Sequence, residues 1–177
     1  MLNNVLTRVG EWNAARYQRV YHHPLQVRLL IEEWTEYLEA KEEVDQLDAL
    51  CDMTYVALGG IWKMNKVTTE ERALSSILAA EAEQGRELDL AMQRFVATQA
   101  PALDHWFVIR CVFREARRVL RLNSDQLLRA MHVVCDANDS KSVKKTDPTK
   151  KANDGDKGAN FISPEPRLQE ILDERHC

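Results

Sequence analysis

From Leu47 to Leu58 the chain reads Leu-Asp-Ala-Leu-Cys-Asp-Met-Thr-Tyr-Val-Ala-Leu, an almost unbroken apolar run with two aspartates, Asp48 and Asp52, inside it. Apart from the stripe that carries them, a helix over this run is apolar nearly all round. Aspartate has poor helix propensity and is seldom buried without a partner. Desolvating two carboxylates there is costly unless a cation compensates them, so the run calls for a metal.

The rest of the chain points to an all-α fold. Only 6 Gly and 5 Pro interrupt 177 residues, and no segment sustains the alternation of a strand. Helices are predicted over Asn4–Tyr21, ending before Pro24, then Leu25–Glu43 and Asp45–Met64. Thr68 and Glu71 form a capping-box pattern that opens a helix to about Glu83, and Gly85 separates it from another over Glu87–Gln99. Pro101 precedes a long helix over Ala102–Leu122, and Asn123 and Ser124 cap the next, which ends near Ala137. Residues 138–163, crowded with Lys, Asp, Asn and Gly, read as a loop before a short helix at Arg167–Glu174. One domain spanning 1–177 is expected, and 45% hydrophobic residues suffice for its core.

A net charge of −4 argues against a general nucleic-acid binder. No apolar stretch reaches the roughly 18 residues of a membrane span, and the first residues lack the apolar core of a signal peptide. The four cysteines, Cys51, Cys111, Cys135 and Cys177, are scattered without Cys-x-x-Cys spacing, which suits buried thiols in a reducing compartment. A cytoplasmic protein is therefore expected, in the host cytoplasm if a phage encodes it.

At about 100° per residue, Leu29, Glu33, Glu36 and Ala40 share one stripe of the second helix. It lies between an apolar face (Val27, Leu30, Trp34, Tyr37, Leu38) and a charged one that includes Glu32. On the third helix Asp45, Asp48, Asp52, Tyr55 and Gly59 share a stripe. Two helices facing each other along these stripes would gather four or five carboxylates, an oxygen-donor set suited to Mg²⁺ or Mn²⁺. Glu33, Glu36, Asp48 and Asp52 are the candidate ligands, with Asp45 in reserve. No glutamate stands three residues before a histidine, which disfavours a di-iron bundle, and no His/Cys spacing suits zinc. His22 and His23 read as surface or helix-end residues.

The segments Arg28-Leu-Leu-Ile-Glu-Glu-x-x-Glu-Tyr-Leu-Glu-Ala40 and Asp48-Ala-Leu-Cys-Asp-Met-Thr-Tyr-Val-Ala-Leu-Gly59 together resemble the signature of the MazG-like all-α nucleoside triphosphate pyrophosphohydrolases. Ala137-Asn-Asp-Ser-Lys141 and Lys157-Gly-Ala-Asn-Phe-Ile-Ser-Pro164 are similar to two later motifs of the phosphoribosyl-ATP-pyrophosphohydrolase-like branch, which is common in phages. The family pairs E-E-x-x-E with E-x-x-D. Ala49 stands where that second motif has its glutamate, and Asp48, one residue earlier, takes over at an i, i+4 spacing on the same face. Ala159 replaces the usual proline of the last motif. Residues 65–105 resemble nothing in the family and read as an inserted helical pair.

The resemblance implies a metal-dependent enzyme that splits a nucleoside triphosphate between its α and β phosphates. Glu33, Glu36, Asp48 and Asp52 would hold the metal, and Glu32, Glu33 or Glu36 would orient the attacking water. Asn138, Lys141, Lys157 and Asn160 would bind substrate from a loop closing over the triphosphate. A deoxynucleotide is the expected substrate, with the purines dGTP or dATP ahead, since the branch includes MazZ-type hydrolases of purine deoxynucleotides. The alternatives are hydrolysis of pyrimidine or damaged deoxynucleotides to clean the pool, or a non-catalytic helical oligomerisation or regulatory module. A homodimer or homotetramer is expected, because amphipathic helices apolar on more than one side leave surface for a subunit interface.

Overall fold

The computed structural model describes residues 2–64, 87–144, 149 and 157–176. Among them stand seven α-helices and no strand: α1 (Leu2–Arg16), α2 (His23–Glu39), α3 (Glu43–Lys63), α4 (Glu87–Val96), α5 (Pro101–Leu120), α6 (Ser124–Asp139) and α7 (Glu165–Asp173), closed by a 3-10 turn at Glu174–His176. The helix expected over Thr68–Glu83, Gly85, the lysine-rich part of the 138–163 loop and Cys177 lie outside the described residues.

The helix α3 is the axis of the bundle, with α1, α2, α5, α6 and α7 all packed on it. Its side chains are buried around nearly the whole circumference, from Leu47 through Met53 and Leu58 to Ile61. The helix α4 lies on α5 and touches α2, and Leu88, Met92 and Phe95 enter the same core as α3. The second helix of the expected insertion is therefore built into the bundle. Cys51, Cys111 and Cys135 are buried free thiols. No helix among the described residues is long and apolar enough to cross a membrane.

Local chemistry accounts for most of the boundaries. His22 caps α2, its ring Nδ1 accepting from the Leu25 N–H at 3.2 Å, and Pro24 sits in the first turn, where its missing N–H costs nothing. His22 is thus the helix-end residue its position suggests. Asn123 and Gln126 form a reciprocal capping box at the start of α6. At the far end of α5, Arg121 takes a left-handed conformation, φ 56° and ψ 26°, two residues after which the chain re-enters a helix.

Two expectations need correction. The helix α1 stops at Arg16 rather than Tyr21, because the Arg16 guanidinium is drawn to the carbonyls of Lys141 and Ser142 and the chain turns away through Gln18–Val20. Leu38, placed on the apolar face of α2, is 59% exposed. The buried side of α2 instead carries Leu25, Gln26, Leu30 and Glu33, rotated so that two polar side chains face α3.

Where α3 packs on α5, Gly60 leaves no room for a side chain. A Cβ there would lie 1.9 Å from Nε2 of His105, a fully buried ring packed edge-on against Phe95 at 4.5 Å. Gly60→Ala is expected to destabilise the protein by about 3 kcal/mol through overpacking, read as a lowered midpoint in urea. A change below about 0.5 kcal/mol would mean that the crossing has room to spare.

Candidate functional site

The polar stripes of α2 and α3 face one another and form the walls of a cleft of ≈ 260 Å³. From α2 come Gln26, Leu29, Glu33 and Glu36, and from α3 Asp48, Asp52, Tyr55, Val56, Gly59 and Lys63. Helix α1 closes one side with Trp12 and Asn13, and Tyr17 follows just beyond its end. Asn138 and Lys141 reach in from the end of α6, and Lys157 from the segment before α7. Seven residues singled out in sequence therefore line one cavity: Glu33, Glu36, Asp48, Asp52, Asn138, Lys141 and Lys157.

Glu32 and Asn160 are not among the lining residues. Glu32 is half-buried one position round α2 from Glu33, and Asn160 is exposed. Asp45, the reserve ligand, is exposed at the first turn of α3.

Asp48 carries the main electrostatic tension of the site. Its Oδ1 is buried with no hydrogen-bond partner. Burial, followed by the negative charges of Asp52, Glu165 and Glu36, pushes its carboxyl up to about 8, against a modest opposing pull from Lys141. Glu165, at the first turn of α7, enters this balance without having been marked by any sequence pattern. Glu33 is only 7% exposed, whereas Glu36 opens to solvent.

The donor set fits a hard divalent cation: it consists of carboxylate oxygens, and one of them is buried without a partner. As the side chains stand, no group of three or more His, Cys, Asp or Glu among the described residues is gathered tightly enough to hold a metal ion. The carboxylates line the cleft without converging on a single point.

Hydrogen bonds hold the lysine-bearing wall. Asn138 is 6% exposed, and its Nδ2 donates to the Val134 carbonyl at 3.0 Å. Its Oδ1 accepts from Lys141 Nζ at 2.9 Å, and its carbonyl accepts from Trp12 Nε1 at 2.9 Å. Arg16, 3% exposed, lies over the Trp12 ring at 4.1 Å and donates to the carbonyls of Lys141 and Ser142 at 3.0 and 3.2 Å. Lys157 lies 5.0 Å from the Phe161 ring, and the Ile162 N–H donates to Ser140 Oγ at 2.9 Å.

Sequence reasoning missed Gln26 and Lys63, although a signal for both was present. Gln26 lies one turn before Leu29 on the α2 stripe, and Lys63 one turn after Gly59 on the α3 stripe, so extending either stripe would have reached them. Gly59 gives Asn13 its place: a Cβ there would come within 3.1 Å of Asn13 Nδ2, which donates to the Val9 carbonyl. Comparison of the chain with protein-family models, with curated proteins and with solved structures finds no match in any of the three.

The charge balance at Asp48 has a measurable sign. Its folded-state value lies above the ordinary 3.8, so the folded protein holds a proton that the unfolded chain has lost. Without divalent cations, stability is expected to fall as pH rises from about 4 to about 8, and Asp48→Asn should flatten this dependence, stabilising at pH 8 by on the order of 2 kcal/mol. Urea unfolding in EDTA across that range measures it. Parallel pH profiles for the two proteins would show that Asp48 is not the group under tension.

Proposed function

We propose that this chain is a nucleoside triphosphate pyrophosphohydrolase of the MazG-like all-α kind, dependent on Mg²⁺ or Mn²⁺ and acting on deoxynucleotides, with the purines dGTP or dATP favoured. Water is added across the α–β anhydride, and the products are a nucleoside monophosphate and pyrophosphate. One observation carries the reading: carboxylates from α2 and α3 line the same cleft as the amide and lysines of two segments far along the chain, Asn138 with Lys141 and then Lys157.

Glu33, Glu36, Asp48 and Asp52 would hold the cation, which when bound supplies charge neutralisation at the phosphate oxygens and favours formation of the nucleophile. The chain's own groups do the rest. Lys141 and Lys157 offer positive charge to the triphosphate, and Asn138 keeps Lys141 turned into the cleft. A base that draws the proton from water must touch it, so the role falls to Glu33 or Glu36 and not to Glu32, which lies outside the lining.

Assembly into a homodimer or homotetramer belongs to the same reading. Ile31 and Leu38 lie seven residues apart on the outer side of α2 and are 38% and 59% exposed, and Leu90 on the neighbouring α4 is 60% exposed. Pairing of these apolar residues between copies would remove them from water. In sedimentation or light scattering the protein is expected to run as an oligomer that Leu38→Glu weakens. A monomer across the micromolar range would remove this part of the proposal.

The activity itself is tested by pyrophosphate release from the canonical dNTPs and NTPs, and from oxidised and deaminated dNTPs, with Mg²⁺ or Mn²⁺. Glu36→Ala and Asp52→Ala are each expected to lower turnover roughly 100-fold or more, while Glu39→Ala, on the exposed side of α2, retains it. Turnover confined to pyrimidine or damaged nucleotides would move the substrate class. Absence of turnover with every nucleotide, or full activity in both cleft variants, would refute the enzyme.

A further inference from the structure

The cleft has a second charged group that the hydrolytic chemistry leaves unused. Lys63 is 6% exposed, yet its ammonium stands 4.2 Å from the Tyr17 ring, and no acidic side chain among the described residues pairs with it. A buried cation without a counter-charge is costly, and an ammonium offers three donors and no acceptor. Beside it in the lining stands Gln26, 2% exposed, whose Oε1 is buried without a hydrogen-bond partner. An ammonium without a counter-charge and an unpartnered amide oxygen thus belong to side chains that line the same cleft.

Their place along the cleft says what they would meet. Asp52 and Lys63 are eleven residues apart on α3, about 16 Å along the axis, and a helical side chain leans back towards the N-terminus, which brings the ammonium nearer the carboxylates. The interval is that of a nucleoside lying between its phosphates and the far edge of its base. Lys141 acts on Asp48 at the carboxylate end, whereas Tyr17 accompanies Lys63 at the other. Phosphates belong with the former and a flat ring with the latter.

We propose that Lys63 and Gln26 read the nucleobase, and that this end of the cleft selects bases with a keto oxygen at the edge they face (guanine, thymine, uracil) over those with an amino group there (adenine, cytosine). The inference rests on the pyrophosphohydrolase reading for the class of ligand, and it replaces that reading's preference for purines by one for keto bases, keeping dGTP and setting dATP aside. A keto oxygen accepts from the ammonium, and the neighbouring ring N–H donates to Gln26 Oε1. An exocyclic amino group presents donors to a donor and leaves the ammonium unmatched.

The test compares kcat/KM for dGTP, dTTP and dUTP with that for dATP and dCTP in the natural protein and in Lys63→Met, alongside calorimetric binding of the corresponding monophosphates. The natural protein is expected to favour keto bases by at least about 10-fold, and the ratio to collapse towards one in Lys63→Met. Removing an unpaired buried charge should leave that variant folded, with an equal or higher Tm. If the natural protein shows no such preference, or Lys63→Met slows all five substrates by one factor, the base-reading role is overturned and the hydrolase stands. If no triphosphate turns over, the hydrolase falls and binding decides: tighter binding of keto-base monophosphates, lost in Lys63→Met, upholds the role of Lys63, and equal or absent binding overturns it.

Discussion

Every other part of the fold depends on how α3 is surrounded. Five helices pack on it, so almost no side of it is left to water, and each polar group it carries must find a partner inside the protein or face a shared cavity. Thr54 returns its hydroxyl to the Leu50 carbonyl at 3.2 Å. Asp48, Asp52 and Lys63 all lie on the side turned towards α2. The cleft is the result of excluding these charges from an otherwise apolar axis.

The arrangement gives the site a rigid half and a held half. The carboxylates and Lys63 stand on helices fixed by the core, so their separations follow from helical geometry. Lys141 and Lys157 belong to segments fastened by individual hydrogen bonds, from Arg16 at the end of α1 to the Lys141 and Ser142 carbonyls and from the Ile162 N–H to Ser140 just past α6. Outside the cleft, Arg8 of α1 and Arg167 of α7 share Asp136 of α6, at 2.7 and 2.6 Å, so three helices are joined through one carboxylate. Asn138, Lys141 and Lys157 are thereby brought to the carboxylates of the core helices.

The fold class and the acidic half of the cleft were legible because they depend on local pattern. Pro24, Pro101 and Asn123 mark helix starts through backbone chemistry a few residues wide, and the stripes of Glu33 and Glu36, or of Asp48 and Asp52, follow from helical periodicity. What could not be read depends on distant partners. The end of α1 at Arg16 is decided by carbonyls at 141 and 142, more than a hundred residues away. Leu38 was assigned to the apolar face because hydrophobicity cannot tell a core-facing stripe from one left outside. Glu165 reaches the charge balance of Asp48 only because α7 folds back onto α3.

The contact between Ser140 Oγ and the Ile162 N–H joins the two ends of the stretch between α6 and α7 beside the cleft mouth. Chain leaving that point returns to it. Once the ends of a loop are held, its closure entropy grows only logarithmically, and doubling its length costs about 0.6 kcal/mol. A change in the number of residues between these anchors therefore costs the bundle little, while the hydrogen bond that closes the stretch beside Lys141 is kept.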